Sequence, residues 1–178
     1  MRTNHAAAVL LAVGVAVPLA GCGSGASTAP GTGVSASTAT GSCPTSTTRS
    51  FAKTRFVADL GFAAGSFHRW IYKPWRAGAF DKGANGRTLA IAKAVGTAAL
   101  DLKLLKDAQE NAQADPTLCP LVAGPLKDAV NAYDSLKSRL VGGDLSVIGS
   151  AESAIQGALS GSKAGGLPVT ETETQPAG

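Results

Sequence analysis

Residues 119–142 read CPLVAGPLKDAVNAYDSLKSRLVG and carry a strong helical period. Their apolar members recur at intervals that alternate between four and three: Val122, Leu126, Ala129, Tyr133, Leu136 and Leu140. Because an α-helix turns once in about 3.6 residues, this alternation aligns the apolar side chains along one stripe. The stretch therefore predicts a long helix that buries one face.

Three other segments repeat the pattern, the last of them more weakly. Their stripes are Phe56, Leu60, Ala63, Phe67 and Trp70, then Ile91, Val95, Ala98, Leu102 and Leu105, and finally Ile148, Ala151, Ile155 and Leu159. No segment shows the alternation of apolar and polar residues that is typical of β-strands. Helices with such stripes pack side by side at shallow angles. The predicted fold class is therefore all-α, a small helical bundle of four helices.

Prolines set the expected ends of two of these helices. Pro74 lacks an amide hydrogen and its ring clashes with the preceding turn, so we expect the first helix to end near Tyr72. Pro125 is tolerated only in a first turn, so we expect the third helix to begin near Ala123.

The N-terminus has the features of an export signal. Arg2 precedes an apolar run, residues 6–20, that is too short to span a bilayer. At its end, Leu19-Ala20-Gly21-Cys22 resembles the bacterial lipobox. That resemblance implies that Cys22 receives a diacylglyceryl group, that residues 1–21 are removed as a signal peptide, and that the protein is anchored to the outer face of the cytoplasmic membrane. The alternative is an ordinary secretory signal that contains a cysteine by chance.

The rest of the chain divides by composition into a linker, a domain and a tail. Residues 22–42 are nearly all Gly, Ser, Thr and Ala, which cannot form a core, so they predict a flexible linker. A linker of this length reaches about 25 Å on root-mean-square average. The helical-bundle domain is expected at residues 43–164, and residues 165–178 are expected to be a disordered tail.

Cys43 and Cys119 are the cysteines that remain once Cys22 is lipidated. Outside the cytoplasm, two cysteines usually pair. We therefore predict a disulfide between Cys43 and Cys119, with two free buried thiols as the alternative.

Residues suited to catalysis or metal binding are sparse. His68 is the one histidine beyond residue 21, and Ser66, two positions earlier, lies on a different side of a helix. No cysteine pair has the spacing of a zinc site. We expect no catalytic residues, no metal and no cofactor, and an enzyme that uses His68 is the least favoured hypothesis. On the second helix Asp101, Asp107 and Glu110 lie among lysines and are expected to form a solvated face.

Aromatic residues and positive charge are concentrated in residues 49–93. Eight of the nine aromatic residues of the chain lie between Phe51 and Phe80. In residues 49–93, nine lysines and arginines stand against two acidic residues, a net charge of +7, whereas residues 94–178 hold six basic and ten acidic residues, a net charge of −4. The charge is therefore polarised along the sequence.

A core stripe accounts for about half of these rings, but it does not account for Trp75 and Phe80 beside Lys73 and Arg76. Aromatic rings next to lysines and arginines are typical of surfaces that meet a membrane. The hypothetical binding residues are His68, Arg69, Trp70, Tyr72, Lys73, Trp75, Arg76 and Phe80. Their predicted role is non-catalytic binding or scaffolding at the cell envelope, with anionic lipid headgroups or another envelope component as the partner.

Two alternatives remain for the same residues. Trp75 and Phe80 could cap one end of the bundle, or the rings around His68 could line a pocket that carries a lipid or another amphiphile between helices. Nucleic acid is not expected as a partner of an exported protein. His68 itself is expected to be packed and hydrogen-bonded.

The stretch also resembles uncharacterised actinobacterial secreted lipoproteins that contain a His-Arg-aromatic segment followed by a Lys-Pro-aromatic segment. The residues that carry this resemblance are His68, Arg69, Trp70, Lys73, Pro74 and Trp75. It covers a small part of the domain and implies no activity.

Overall fold

The structure, a computed structural model, describes residues 42–172, which form an all-α bundle of four helices. The elements are α1 (Ala52–Phe67), a π-helical segment (His68–Tyr72), α2 (Lys73–Arg76), α3 (Arg87–Gln113), α4 (Cys119–Gly142) and α5 (Val147–Ala164). The first three follow one another without a break and make up the first helix of the bundle. No β-strand occurs between residues 42 and 172. The predicted fold class is confirmed.

Several predictions for the two ends of the chain lie outside the described residues. These are the signal peptide, the lipidated Cys22 and nearly all of the linker, together with residues 173–178 of the predicted tail. Within the described part, no helix is both long enough and apolar enough to cross a membrane.

The helices pack in chain order, with α1 against α3, α3 against α4, and α4 against α5. The predicted stripe of α4 is confirmed, because all six of its residues are fully buried. Tyr133, from the middle of that stripe, packs its ring 5.6 Å from the ring of Phe67 on α1, measured between centroids. The stripe quoted at the outset therefore forms a central part of the core.

The prediction that Pro74 ends the first helix near Tyr72 is wrong. The helical backbone continues to Arg76, because the turn before the proline is wider than an α-helical turn. The amide of Lys73 donates to the carbonyl of His68, five residues back. This wider turn relieves the clash that the ring of Pro74 would have with an α-helical carbonyl.

The wider turn also shifts the buried stripe of the first helix. Ile71 is fully buried, whereas Trp70, which was expected to belong to the core, is half-buried. A π-helical turn holds more residues than an α-helical turn. Ile71, four residues after Phe67, therefore faces the core instead of Trp70, three residues after it. Trp70 is therefore placed at the edge of the first helix.

The third helix begins at Cys119 rather than near Ala123, so that prediction is also wrong. Pro125 lies inside α4, where it leaves the carbonyl of Leu121 without its usual helical donor. Gly161 of α5 packs directly against this carbonyl, and a Cβ atom at position 161 would stand 2.7 Å from the Leu121 oxygen. Because Gly161 has no side chain, α5 can approach α4 closely at Leu121, whose carbonyl lacks a helical donor.

The buried face of α3 differs from the predicted stripe. Its buried residues are Ala94, Thr97, Ala98, Asp101, Leu105, Ala108, Asn111 and Ala112. Ile91, Val95 and Leu102 lie beside the core and are partly exposed. The prediction that Asp101 faces solvent is therefore wrong, and its carboxyl group lies in the interior of the bundle.

Residues 165–172, which we call the strap, return from the end of α5 along the first helix. The side chains of Leu167 and Val169 pack against the core, and the amide of Thr172 donates to the carbonyl of Gly61 at 3.0 Å. A Cβ atom at Gly61 would stand 2.6 Å from the Thr170 carbonyl oxygen. The tail was predicted to be disordered from residue 165, whereas the packed chain extends through residue 172.

The predicted disulfide between Cys43 and Cys119 is present, with 5.5 Å between the two Cα atoms. It ties the segment before α1 to the first residue of α4. The backbone amide of Thr48 donates to the carbonyl of Ala114 at 2.9 Å, close to the same point. This end of the bundle is therefore joined by both a covalent bond and hydrogen bonds.

Candidate functional site

An open groove lies between the first helix and the start of α3, and we call it the Trp70 groove. It is lined by Trp70, Pro74, Gly86, Leu89, Ala90 and Lys93 and has a volume of about 200 Å³. Leu89, one of its lining residues, is a large apolar side chain that is 61% exposed. The groove thus offers a mainly apolar surface to solvent.

Two cations flank the indole ring of this groove. The guanidinium of Arg69 lies 5.5 Å from the ring centroid of Trp70, and the ammonium of Lys93 lies 5.7 Å from it. Contacts of this length fall within the range of cation–π attraction. The arrangement puts an apolar surface and positive charge side by side.

Local backbone geometry explains how the two walls of the groove meet. Gly86 has a φ of 72°, a left-handed conformation that glycine adopts without strain, and α3 begins at the next residue. The Nε of Arg87 donates to the carbonyl of Phe80 at 2.9 Å, which fixes the loop that connects α2 to α3. Leu89 and Lys93, four residues apart on α3, therefore project from one side of the helix.

The structure brings some of the predicted binding residues together and separates others. Arg69, Lys73 and Arg76 are exposed, whereas Tyr72 and Trp75 are half-buried, and their rings contact each other at a tilt with 5.8 Å between centroids. The groove adds Leu89 and Lys93, which lie off the apolar stripe of the second helix. The sequence analysis assigned neither residue to a site and counted Lys93 only among the basic residues of 49–93.

Phe80 does not belong to an exposed face. Its side chain is 1% exposed and lies in the hydrophobic core. The loop after α2 folds inward at this residue and uses the ring to close the bundle, which agrees with the alternative that had aromatic residues cap one end. The prediction that Phe80 contributes to a binding surface is therefore wrong.

His68 is packed and hydrogen-bonded, as expected, but its partners were not anticipated. Its Nδ1 lies 2.7 Å from Glu171 Oε2 on the strap, and its Nε2 lies 2.8 Å from Glu152 Oε2 on α5. Partial burial lowers the pKa of the imidazole, but the hydrogen bonds to Glu171 and Glu152 outweigh this and raise the pKa above its ordinary value. The sequence analysis missed both carboxylates because Glu171 lay in the supposed tail.

A second polar cluster lies inside the bundle, around Asp101 on α3. The Asp101 carboxyl contacts the hydroxyl of Ser66 on α1 at 2.5 Å through its Oδ1. Asp101 Oδ2, Thr97 Oγ1 and the Tyr133 hydroxyl are buried and have no hydrogen-bond partner among the described residues. Burial raises the pKa of Asp101 to about 8, and burial with the nearby Asp101 carboxyl also raises the pKa of Tyr133.

The polar groups of His68 and Ser66 are engaged with other groups of the two clusters. Both ring nitrogens of His68 are taken by carboxylates, and the Ser66 hydroxyl is directed to Asp101 and to the Phe62 carbonyl instead of to the imidazole. In residues 42–172, no group of three or more His, Cys, Asp or Glu side chains is arranged to hold a metal ion.

Comparison with known proteins places the chain in no family. No family model matches the sequence, and neither the curated proteins nor the solved structures contain a match. The geometry of this chain alone therefore supports the argument about its function.

Proposed function

We propose that this protein is an extracytoplasmic lipoprotein, anchored through Cys22, whose helical bundle is a non-catalytic binding module for anionic lipid headgroups at the cell envelope. The observation that carries the proposal is the Trp70 ring, which lies within about 6 Å of the cations of both Arg69 and Lys93 at the edge of an open apolar groove. An anionic amphiphile complements this surface, because its negative charge suits the two cations and its apolar part suits the groove.

Charge supplies the first part of the interaction. Arg69, Lys73 and Arg76 lie on successive turns of the first helix and are exposed, so several cations can approach one anionic surface together. Each basic residue near a membrane of anionic lipids contributes about 1 kcal/mol of attraction, which salt weakens. Binding through this surface is therefore expected to depend strongly on ionic strength.

The apolar groove supplies the second part. Its volume of about 200 Å³ is smaller than the roughly 300–1,000 Å³ of a typical enclosed ligand site, and it is open to solvent. Trp70 and the exposed Leu89 are suited to the headgroup region of a bilayer, where an amphipathic ring has both apolar and polar neighbours. The groove thus fits contact with a lipid surface better than transport of a whole lipid molecule.

The experiment is co-sedimentation of residues 23–178 with vesicles of phosphatidylglycerol and phosphatidylcholine, or of phosphatidylcholine alone, at low and high salt. Omission of Cys22 removes the acyl chains, so that any binding belongs to the folded domain. We expect binding to the anionic vesicles that high salt abolishes, and little binding to the neutral ones.

Two double variants separate the groove from net charge. Arg69→Gln with Lys93→Gln is expected to weaken binding to anionic vesicles by about thirtyfold, since two cations that contribute about 1 kcal/mol each are lost. Lys127→Ala with Lys137→Ala removes the same charge from exposed positions on α4 and should change binding much less. Absence of binding to anionic vesicles, or an equal loss in both double variants, would overturn the proposal.

A further inference from the structure

His68, on the first helix, contacts two carboxylates from parts of the chain that are distant from it in sequence. One carboxylate partner, Glu152, belongs to α5, and the other, Glu171, belongs to the strap. The Glu152 side chain is 20% exposed and the Glu171 side chain is 40% exposed, so both ion pairs are partly shielded from water. The imidazole is therefore the point at which the end of the strap is held to the first helix.

The protonation state of the imidazole decides whether both contacts are favourable. A neutral imidazole carries one N–H group and one lone pair, so it can donate to one carboxylate but not to two. In that state, the second nitrogen would face a carboxylate oxygen at less than 3 Å with no hydrogen between them. The imidazolium ion donates from both nitrogens, and the observed geometry fits that ion.

The two carboxylates differ in their freedom to move away. Glu152 is in the middle of a helix, and its Oε1 also accepts from Gln156 Nε2 at 3.1 Å. Glu171 is in the strap, and among residues 42–172 the end of the strap makes one backbone hydrogen bond to the first helix, from Thr172 to Gly61. Loss of the imidazole proton should therefore displace Glu171 and leave Glu152 in place.

We propose that His68 is a proton-dependent lock, whose imidazolium ion holds the end of the strap against the first helix at acidic pH and whose deprotonation releases it. The charged groups that face the imidazole from the neighbouring elements are Glu152 on α5 and Glu171 on the strap, and its other close neighbours are the rings of Phe67 and Tyr72. This inference is independent of the lipid-binding function proposed above.

The direction of the pH dependence follows from the raised pKa of His68. We call the strap closed when its end is held against the first helix and open when it is released. A group whose pKa is higher in the closed state stabilises that state fully below its ordinary pKa, about 6.5 for histidine. The contribution is lost as the pH rises through the raised value. For each unit by which closure raises the pKa, the ratio of closed to open strap falls tenfold between acidic and alkaline pH.

The experiment uses NMR on residues 23–178, in which His68 is the one histidine. Its imidazole titration gives the pKa, and the hydrogen-exchange protection of the Thr172 amide reports on the strap. Protection is corrected for intrinsic exchange and compared with that of the buried face of α4, which reports on opening of the whole bundle. We expect Thr172 protection to fall in one step between the ordinary pKa of histidine and the raised pKa of His68, by the factor that the elevation of that pKa specifies.

Three variants make the result decisive. Glu171→Gln should lower the pKa of His68 and remove most of the step, and His68→Gln should make Thr172 protection independent of pH. Glu110→Gln makes the same substitution at an exposed carboxylate that pairs with Arg49, and it should leave the step unchanged.

A Thr172 protection that stays constant within twofold while His68 titrates would overturn the lock, as would a step that persists in His68→Gln. Circular dichroism checks that His68→Gln is folded. If it is not, Glu171→Gln alone decides the question, because its side chain is largely exposed and its loss does not disturb the core.

Discussion

Ser66 on α1 and Asp101 on α3 lie 2.5 Å apart, measured from Oγ to Oδ1, at a point in the bundle that solvent does not reach. The same Ser66 hydroxyl lies 2.6 Å from the carbonyl oxygen of Phe62. One hydroxyl hydrogen cannot serve two acceptors, but both contacts become hydrogen bonds if the Asp101 carboxyl is protonated and donates to Ser66. This agrees with burial, which raises the pKa of Asp101 to about 8.

The buried carboxyl predicts a pH-dependent stability. The pKa of Asp101 is higher in the folded state than its value of about 3.9 in an unfolded chain, so its contribution is complete at low pH and is lost as the pH rises towards 8. The free energy of unfolding should fall by up to about 1.4 kcal/mol for each pH unit in this range. Urea denaturation at pH 5, 7 and 9 measures it.

Asp101→Asn supplies the control for this dependence. The amide is neutral at every pH and can donate to Ser66, so the variant should lose the dependence that Asp101 contributes. It should be more stable than the original protein at pH 9. Parallel stability profiles for the two proteins between pH 5 and 9 would show that Asp101 does not hold its proton in the folded state.

Ser66→Ala tests the partner of the same pair. The substitution leaves a buried Asp101 oxygen without its hydrogen bond, which should lower the free energy of unfolding by about 1–3 kcal/mol at pH 5. Ser138→Ala removes an exposed hydroxyl from α4 and should cost much less. In a double-mutant cycle with Asp101→Asn, the two substitutions should couple by about 0.5–3 kcal/mol, whereas additive effects would contradict a direct interaction.

The position of Asp101 also explains a limit of the sequence analysis. The stripe of α4 was predicted correctly, because large apolar side chains mark most of the buried positions of that helix. On α3 half of the buried positions are alanines, and the larger Ile91 and Leu102 lie at the margin. A sequence predicts that a carboxylate is solvated unless it also reveals a buried partner for it. The partner of Asp101 is Ser66 on another helix, and no sequence pattern connects the two residues.

The candidate site was predictable only in part for a similar reason. The concentration of Trp70, Arg69 and other basic residues was visible in the sequence, but the π-helical segment that turns Trp70 out of the core depends on tertiary packing. Lys93 comes from a different helix and meets the indole ring only after folding. The strap was missed in part because its attachment also uses backbone atoms beside Gly61 and Gly65, which no side-chain pattern records.

Gly65→Ala tests the packing of the strap against the first helix. A Cβ atom at position 65 would collide with the backbone of Thr172, so the end of the strap must move away. We expect the exchange protection of the Thr172 amide to fall at least tenfold at pH 5, while the α4 core stays protected.

Gly124→Ala, where no atom lies within 4 Å of the new methyl group, should instead stabilise the protein by about 0.5–1 kcal/mol through helix propensity. Equal effects of the two substitutions on Thr172 would contradict close packing of the strap.

Removal of the disulfide should destabilise the bundle without changing its fold. Cys43 and Cys119 close a loop of 76 residues in sequence, and in the chain-entropy model a loop of this length stabilises the folded state by about 4 kcal/mol. Cys43→Ser with Cys119→Ser should therefore lower the free energy of unfolding by up to this amount, as measured by urea denaturation, while the far-ultraviolet circular dichroism stays that of an all-α protein. The hydrogen bond from Thr48 to Ala114 remains at this end of the bundle, so the paired variant should stay folded at 25 °C. A reductant should lower the stability of the original protein to that of the variant and leave the variant unchanged. An equal loss of stability in both proteins would show that the reductant does not act through this disulfide.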